Sequence, residues 1–296
     1  MQNLRKLIIL MVFISTNALA DGFVASVGGD YSKGDYGSSE STNVFYMPFT
    51  ASYETGAFTY GVTVPWIRVS GPGNIVPGGF GGSGTGGAGG GDGGIGAFGC
   101  AGDSRKGASK PADSGPCAGV TNSGSGSGTS STRTTESGLG DIVAGVTYNV
   151  IDQEDTSGWI VDLNGRVKFG TASASRGLGS GKTDYAVQAN VDKYFGAPYV
   201  SVGLGYKWLG EPTGVSYDNV VYGSLGGGYK FSKDTSFGAS YDWATAAVDG
   251  STRPEVLSIY GSHYITNNYK LNGVLYSGLS DSSPDVGGGI TLSYYF

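Results

Sequence analysis

The sequence has few of the residue types on which most enzyme and metal chemistry depends. Among 296 residues there are one histidine, two cysteines and three methionines, and only 14% of the residues are charged. No zinc-ligand spacing is present, and the glycine-rich stretch leads into a predicted strand instead of a phosphate-binding helix. The formal net charge is −6 and no Lys/Arg cluster occurs, which excludes a basic nucleic-acid surface. We predict no metal, no cofactor and no nucleic-acid partner.

Long apolar runs are also absent. The longest candidate, Leu7 to Ile14, follows Arg5 and Lys6 and precedes Ala18-Leu19-Ala20. A basic start, a short apolar core and small residues at −3 and −1 are typical of a secretory signal peptide. We therefore predict a signal peptide over residues 1–20, cleaved after Ala20. Nowhere else do eighteen apolar residues follow one another, so a membrane form of this protein would have to be a β-barrel.

Glycine and tyrosine, in contrast, are abundant, with 56 and 20 copies, and the chain ends on a strand pattern. Within Gly287 to Phe296, apolar side chains recur at Ile290, Leu292, Tyr294 and Phe296 and alternate with polar or small ones. A period of two indicates a strand with one apolar face and one polar face. Such a strand at the chain end leaves an unpaired edge, which closure against the first strand would remove.

The region after Ala20 divides into segments of alternating polarity separated by turn residues. We predict twelve strands, at about 22–33, 42–54, 57–69, 139–151, 158–170, 183–195, 198–209, 218–231, 235–246, 255–266, 268–279 and 286–296. Twelve is an even number, as bacterial single-chain barrels require. The predicted fold is therefore all-β: one closed, up-and-down, twelve-stranded antiparallel transmembrane barrel over residues 21–296.

Connections between these strands alternate between short and long. Outer-membrane barrels place short turns in the periplasm and longer loops outside, with both termini in the periplasm. Aromatic residues on the outward face gather near both strand ends, as Phe58 and Trp66 do on the third strand. Two aromatic rings around an apolar band are typical of such barrels, whereas a β-sandwich core gives no reason for aromatics to prefer strand ends.

The other face of the strands would form the lumen. The predicted pore-lining residues are Asp162, Asn164, Arg166, Lys168, Gln188, Asn190, Asp192, Lys207, Lys230, Asp242 and Lys270. With Asp30, Asp141 and Asp184, the inner face carries six carboxylates and five cations. Such a lining is compatible with a selective water-filled pore or with an ion-paired network that closes the barrel. We favour the pore, because lumen glycines such as Gly205 and Gly228 are expected to leave space.

The stretch over residues 72–136 differs from the rest of the chain because it is dominated by glycine and serine. We predict that it is an extracellular loop between the third and fourth strands, because it cannot bury enough apolar surface to fold alone. It either folds into the barrel mouth or stays above it. Cys100 and Cys117 both lie within it, and in an exported chain we expect them to form a disulfide.

His263 is the only histidine available for catalysis. Its position in the tenth strand predicts an outward, lipid-facing side chain near the periplasmic end. The nearest serines, Ser258 and Ser262, have the opposite parity and would face the lumen. We therefore predict that the protein is not an enzyme.

Three short motifs resemble a known family. They are Ser137-Gly138-Leu139-Gly140-Asp141-Ile142, the run from Arg166 to Thr171, and the run from Gly177 to Asp184. They are similar to motifs of the transporter-like outer-membrane proteins associated with the meta-pathway of phenol degradation, over roughly residues 137–296. This resemblance implies a barrel that passes small organic compounds.

From residues and resemblance together, we expect a channel in the bacterial outer membrane for passive diffusion of small solutes, including aromatic or hydrophobic ones. The alternative is a structural or surface-interaction barrel with a closed lumen. The expected partners are outer-membrane lipid, a small-molecule solute, and the barrel-assembly machinery. The machinery would recognise the C-terminal strand that ends in Phe296, because Tyr-Tyr-Phe resembles the insertion signal of such barrels.

Overall fold

The computed structural model describes residues 22–36, 40–72, 133–151, 158–212, 217–247 and 251–296, and nearly all of them lie in or between β-strands. Within these ranges, no helix is long and apolar enough to cross a membrane. The strands are β1 (Phe23–Gly34), β2 (Thr42–Thr55), β3 (Phe58–Pro72), β4 (Arg133–Leu139), β5 (Ile142–Ile151), β6 (Trp159–Phe169), β7 (Asp184–Tyr194), β8 (Pro198–Trp208), β9 (Val220–Lys230), β10 (Thr235–Ala244), β11 (Glu255–Tyr264), β12 (Tyr269–Gly278) and β13 (Val286–Tyr295).

The strands form one antiparallel sheet that closes on itself. Strands that follow one another in the chain pair, except that β4 and β5 both pair with β3, and β13 returns to pair with β1 over ten residue pairs, from Val24↔Tyr295 to Lys33↔Val286. The rings of Phe23 and Phe296 lie beside each other at the end of this seam, with centroids 5.0 Å apart. The predicted pairing of the terminal strand with the first strand is confirmed, and this closure covers the edge that the terminal strand would otherwise leave open.

The predicted count of twelve is confirmed, with one additional strand segment. β4 and β5 both pair with β3, β4 along its distal half and β5 along its proximal half, so together they occupy one position in the barrel. The register between the two halves shifts by one residue across Gly140 and Asp141, as in a β-bulge. The predicted start of this strand at residue 139 was wrong, because pairing begins at Arg133. Residues 133–137 are all polar and therefore show no alternation of polarity.

Burial alternates along the strands as a two-sided sheet requires. On β6, Asp162, Asn164, Arg166 and Lys168 are buried, whereas Trp159, Leu163 and Phe169 are exposed. Exposed aromatic side chains gather at both ends of the barrel exterior, for example Phe195, Phe231 and Phe237 at one end and Tyr185 and Trp208 at the other. The exterior is thus apolar with two aromatic rings, and the interior is polar.

The connections differ in length at the two ends. At the end that carries the termini, β2 and β3 join through Gly56 and β7 and β8 through Gly196. Both glycines have positive φ, 57° and 88°, a backbone conformation that glycine adopts without steric strain. At the opposite end most connections are longer. The described loop between β6 and β7 contains a single 3₁₀ turn, Ala174–Arg176.

Candidate functional site: the barrel lumen

The lumen is lined by polar side chains from most strands. The structure places the predicted pore-lining residues on this inner face: Asp162, Asn164, Arg166, Lys168, Gln188, Asn190, Asp192, Lys207, Asp242 and Lys270 are buried, and Lys230 is half-buried. Asp30, Asp141 and Asp184 share the same face. The charged residues expected on the inner face therefore do meet inside one barrel. That they line a conducting path remains a prediction.

Lys168 is the centre of a buried ion-pair cluster near the loop end of the lumen. Its ammonium lies 2.9 Å from Asp141 Oδ2 and 2.8 Å from Asp184 Oδ2, and it donates to Ser180 Oγ at 3.0 Å. The second oxygen of each carboxylate accepts a backbone N–H at 2.8 Å, from Ala172 for Asp141 and from Gly210 for Asp184. Lys168 on β6 thus binds Asp184 on β7 and Asp141, which lies between β4 and β5. The backbone of two loops supplies the hydrogen bonds that satisfy the other oxygen of each carboxylate.

The loop over residues 170–183 lies inside the barrel mouth. Leu178 is 2% exposed and packs with Ala172 against Val44, Tyr46, Ile67 and Val69, which are inner-face residues of β2 and β3. On the rim, Arg176 forms a salt bridge with Glu136 at 2.8 Å and donates to the Ser137 carbonyl. The loop is therefore fastened by the Lys168 cluster on one side and by apolar packing on the other. Sequence reasoning missed this contact, because Leu178 is a single apolar residue among small ones.

A second loop is anchored on the inner face of β1. Pro284 is buried against Gly34, and Ser283 exchanges hydrogen bonds with the backbone of Glu255, both at 2.8 Å. Tyr36 is buried beside this loop, and burial raises the pKa of its phenol above the ordinary value. Two of the connections at this end therefore turn back onto the barrel instead of extending away from it.

Tyrosines cover glycines on the lumen wall. In four directly opposed cross-strand pairs, a tyrosine ring occupies the space where the glycine opposite it lacks a side chain. The pairs are Gly205↔Tyr222, Tyr199↔Gly228, Gly238↔Tyr260 and Tyr276↔Gly287. Two of these rings reach further, because Tyr276 donates to Asp30 Oδ1 at 2.8 Å and Tyr222 donates to the Val187 carbonyl at 3.3 Å. The expectation that Gly205 and Gly228 leave open space was wrong, since aromatic rings of the neighbouring strand fill it.

The catalytic alternative rests on His263. The side chain faces outward and its Nδ1 lies 2.8 Å from Thr235 Oγ1, across the β10–β11 pair. Ser258 and Ser262 are buried on the opposite face, as their parity predicts. Among the described residues, no group of three or more His, Cys, Asp or Glu side chains could hold a metal ion. The absence of enzyme activity and of a cofactor remains a prediction.

Some predicted features lie outside the described residues. These are the signal peptide with its cleavage after Ala20, both cysteines Cys100 and Cys117, and residues 73–132 of the glycine-rich segment. The disulfide, the cleavage site and the position of this segment therefore stay predictions.

Comparison with known proteins gives one family and several barrels of similar architecture. The model of the family described as "Putative MetA-pathway of phenol degradation" matches residues 112–296. No curated protein matches the chain significantly. Among solved structures, an outer membrane channel from Pseudomonas putida F1 is similar with a TM-score of 0.60 at 15% identity, covering 96% of this chain and 98% of that one.

Two further structures are similar at greater distance. The transport unit of the autotransporter AIDA-I from Escherichia coli has a TM-score of 0.51 at 10% identity, covering 97% of this chain and 94% of that one. The toluene transporter TodX from Pseudomonas putida has a TM-score of 0.42 at 13% identity, covering 93% and 80%. The similarities to the outer membrane channel from Pseudomonas putida F1 and to the AIDA-I transport unit support the barrel fold.

Proposed function

The chain belongs to the family whose description is "Putative MetA-pathway of phenol degradation". We propose that it is an outer-membrane channel for the passive diffusion of small solutes. Its lumen would conduct by electrodiffusion, with selectivity set by the pore radius and by the charges on the wall. The structurally similar outer membrane channel from Pseudomonas putida F1 supports the same class of activity.

The distribution of side chains over the two faces is the observation that carries this proposal. Leu225, Leu275 and Ile290 are each about two-thirds exposed on the exterior, whereas Lys168, Asp184 and other charged residues are buried inside. A continuous apolar exterior is unfavourable in water and favourable in hydrocarbon, whereas a polar interior lining is what a channel needs. A soluble β-protein would show the opposite arrangement.

Location and orientation follow from the same barrel. The signal peptide would export the chain, and the C-terminal strand ending in Phe296 would engage the barrel-assembly machinery. Phe23 and Phe296 lie at the end with short turns, which is the periplasmic end of outer-membrane barrels. The loops over residues 170–183 and 279–285 would then face the outside, where solute enters. The solute is small and includes aromatic or hydrophobic compounds, consistent with the pathway that names the family.

A planar-bilayer recording tests the channel. Two proteins are compared, the mature chain from Asp21 to Phe296 and the same chain lacking residues 73–132, which keeps β3 and β4, each checked for β-structure by circular dichroism. We expect discrete conductance steps from the mature chain. Absence of conductance in both proteins would rule out the channel and favour the closed, structural barrel.

Conductance from the deletion alone would show that residues 73–132 block the lumen. In that case, reduction of the predicted Cys100–Cys117 disulfide should change the gating of the intact protein. Lipase activity measured alongside tests the enzyme alternative: activity that disappears in His263→Ala would overturn the prediction that the protein is not an enzyme.

A further inference from the structure

The three short motifs of the sequence meet at one place in the structure, the loop end of the lumen. Lys168 of the second motif forms ion pairs with Asp141 of the first motif and Asp184 of the third. It also donates to the hydroxyl of Ser180 in the third motif. The motifs therefore supply together the attachment of the loop over residues 170–183.

This loop lies very close to the barrel wall because two glycines leave room for it. A Cβ placed on Gly138 would lie 2.9 Å from Leu178 Cδ1, and one placed on Gly179 would lie 2.7 Å from the Ala172 Cβ. Gly138 belongs to β4 and is the direct partner of Ile67 on β3, an inner-face residue. Leu178 thus packs on the inner surface of the wall and not on the rim.

The apolar surface under the loop favours this position. Val44, Tyr46, Ile67 and Val69 form one buried cluster with Leu178. Without the loop, these inner-face side chains of β2 and β3 would contact water in the mouth. Burial of apolar surface is favourable, so the loop is held in the mouth by packing as well as by the ion pairs.

The loop covers about a quarter of the circumference of the mouth. It begins after β6, and its Leu178 shares the apolar cluster with residues of β2, three of the twelve barrel positions away. Three positions at the usual strand spacing correspond to about 14 Å of wall, and a layer packed on a sheet lies about 10 Å from it. The loop therefore occupies cross-section that a solute would otherwise use.

We propose that the loop over residues 170–183 is a fixed constriction of the channel mouth and that Leu178 is the residue that holds it against the wall. The constriction rests on the proposed channel function and specifies what limits the size of its solutes. Because ion pairs fasten one side of the loop and apolar packing the other, the loop acts as part of the wall. Loss of the Leu178 contact widens the mouth and exposes the inner face of β2 and β3.

Thiol labelling tests the constriction and requires no conductance. Ile67→Cys is introduced into the mature chain together with Cys100→Ser and Cys117→Ser, and the detergent-solubilised protein is treated with a hydrophilic maleimide. Under the loop this thiol should react slowly. Addition of Leu178→Asp should accelerate labelling about tenfold or more, because loss of a buried leucine shifts the balance between packed and open loop by such a factor.

Two controls accompany this variant. Ser175→Asp adds the same charge at an exposed position of the same loop and should leave the labelling rate unchanged. Val274→Cys replaces Ile67→Cys at a buried inner-face position of β12, away from the loop, and should react slowly with or without Leu178→Asp. Equal acceleration by both aspartates, or acceleration at position 274 as well, would overturn the role of Leu178.

A shortened loop repeats the comparison without a buried charge. Residues 173–180 are replaced by two glycines. Gly170 and Gly181 lie against each other at the base of the loop, so the shorter chain can close. Ile67→Cys should label rapidly in this variant as well. Slow labelling in both the shortened loop and Leu178→Asp would show that the loop does not cover the wall.

Conductance separates the constriction from the channel. In planar bilayers the shortened loop should raise the single-channel conductance about twofold, because a layer of chain about 10 Å thick no longer narrows one side of the mouth. If neither protein conducts but shortening accelerates labelling, the channel proposal fails and the position of the loop across the mouth stands. If the native chain conducts and shortening leaves its conductance unchanged, the constriction fails and the channel stands.

Discussion

At the scale of single residues, Lys168 shows what a buried charge does in this barrel. Its ammonium contacts the carboxylates of Asp141 and Asp184 at 2.9 and 2.8 Å, and all three side chains are almost fully buried. Removal of one partner from such a group leaves uncompensated charge, which costs more than the pair contributes. Lys168 is therefore expected to be the residue whose loss most disturbs the loop end of the lumen.

We predict that Lys168→Met lowers the free energy of unfolding by about 3–5 kcal/mol. The cause is repulsion and poor solvation of the two carboxylates that remain. Urea unfolding in lipid vesicles measures the change. Lys182→Met, in the exposed part of the same loop, is the control and should be close to neutral. A similar loss in both variants would show that the ion pairs are not responsible.

At the scale of elements, pairing between strands depends on small residues opposite large ones. Tyr276 on β12 lies over Gly287 on β13 and reaches Asp30 on β1, so one side chain joins three neighbouring strands. The loop over residues 170–183 acts in a similar way, because Leu178 connects the β6–β7 connection to β2 and β3 across the mouth. These contacts tie strands that are not adjacent in the sheet.

Gly287→Ala should destabilise the barrel by about 1–3 kcal/mol, the cost of overpacking a well-packed site. The added methyl group would collide with the ring of Tyr276. Gly273→Ala is the matched control in β12, because the nearest atom to its Cβ is the Gly289 carbonyl oxygen at 4.0 Å. Thermal unfolding by circular dichroism distinguishes the two. In a Tyr276→Leu background the cost of Gly287→Ala should fall, and equal costs in both backgrounds would contradict the contact.

At the scale of the whole molecule, closure of β1 on β13 decides that the protein is a barrel. Ser26 and Ser293 are directly opposed across this seam, and their hydroxyls are 2.9 Å apart although 267 positions separate them in the chain. Closure satisfies the backbone groups of both terminal strands, which hydrocarbon cannot do. The first and last described strands therefore depend on each other.

We predict that Ser26→Cys combined with Ser293→Cys forms a disulfide on mild oxidation, in a background with Cys100→Ser and Cys117→Ser. The crosslinked barrel should migrate differently from the reduced form after denaturation in SDS, because a covalent loop restricts expansion of the unfolded chain. Ser26→Cys with Ser262→Cys is the control: Ser262 lies on β11, three strand spacings or about 14 Å away, beyond disulfide reach. Failure of the first pair to crosslink, or crosslinking of both pairs, would contradict the seam.

The sequence by itself determined most of the residues that form strands and the face that each of their side chains takes. Alternation with a period of two is a local property, so Asp162, Asn164, Arg166 and Lys168 could be assigned to the inner face without knowledge of any neighbour. The predicted start of the fourth strand was wrong because residues 133–137 are uniformly polar, and alternation is visible only where the two faces differ. The end of the barrel that carries the termini followed from the alternation of short and long connections.

Only the tertiary structure decided which residues meet. Lys168 pairs with Asp141 and Asp184, Tyr222 covers Gly205, and Leu178 packs inside the mouth, because strand register and loop path bring them together. A shift of register by two residues would preserve every inward and outward assignment but change every such partner. Gln188 and Asn190 of β7 likewise meet Ser224 of β9 above Gly203 of β8, and no local pattern within either strand indicates that contact.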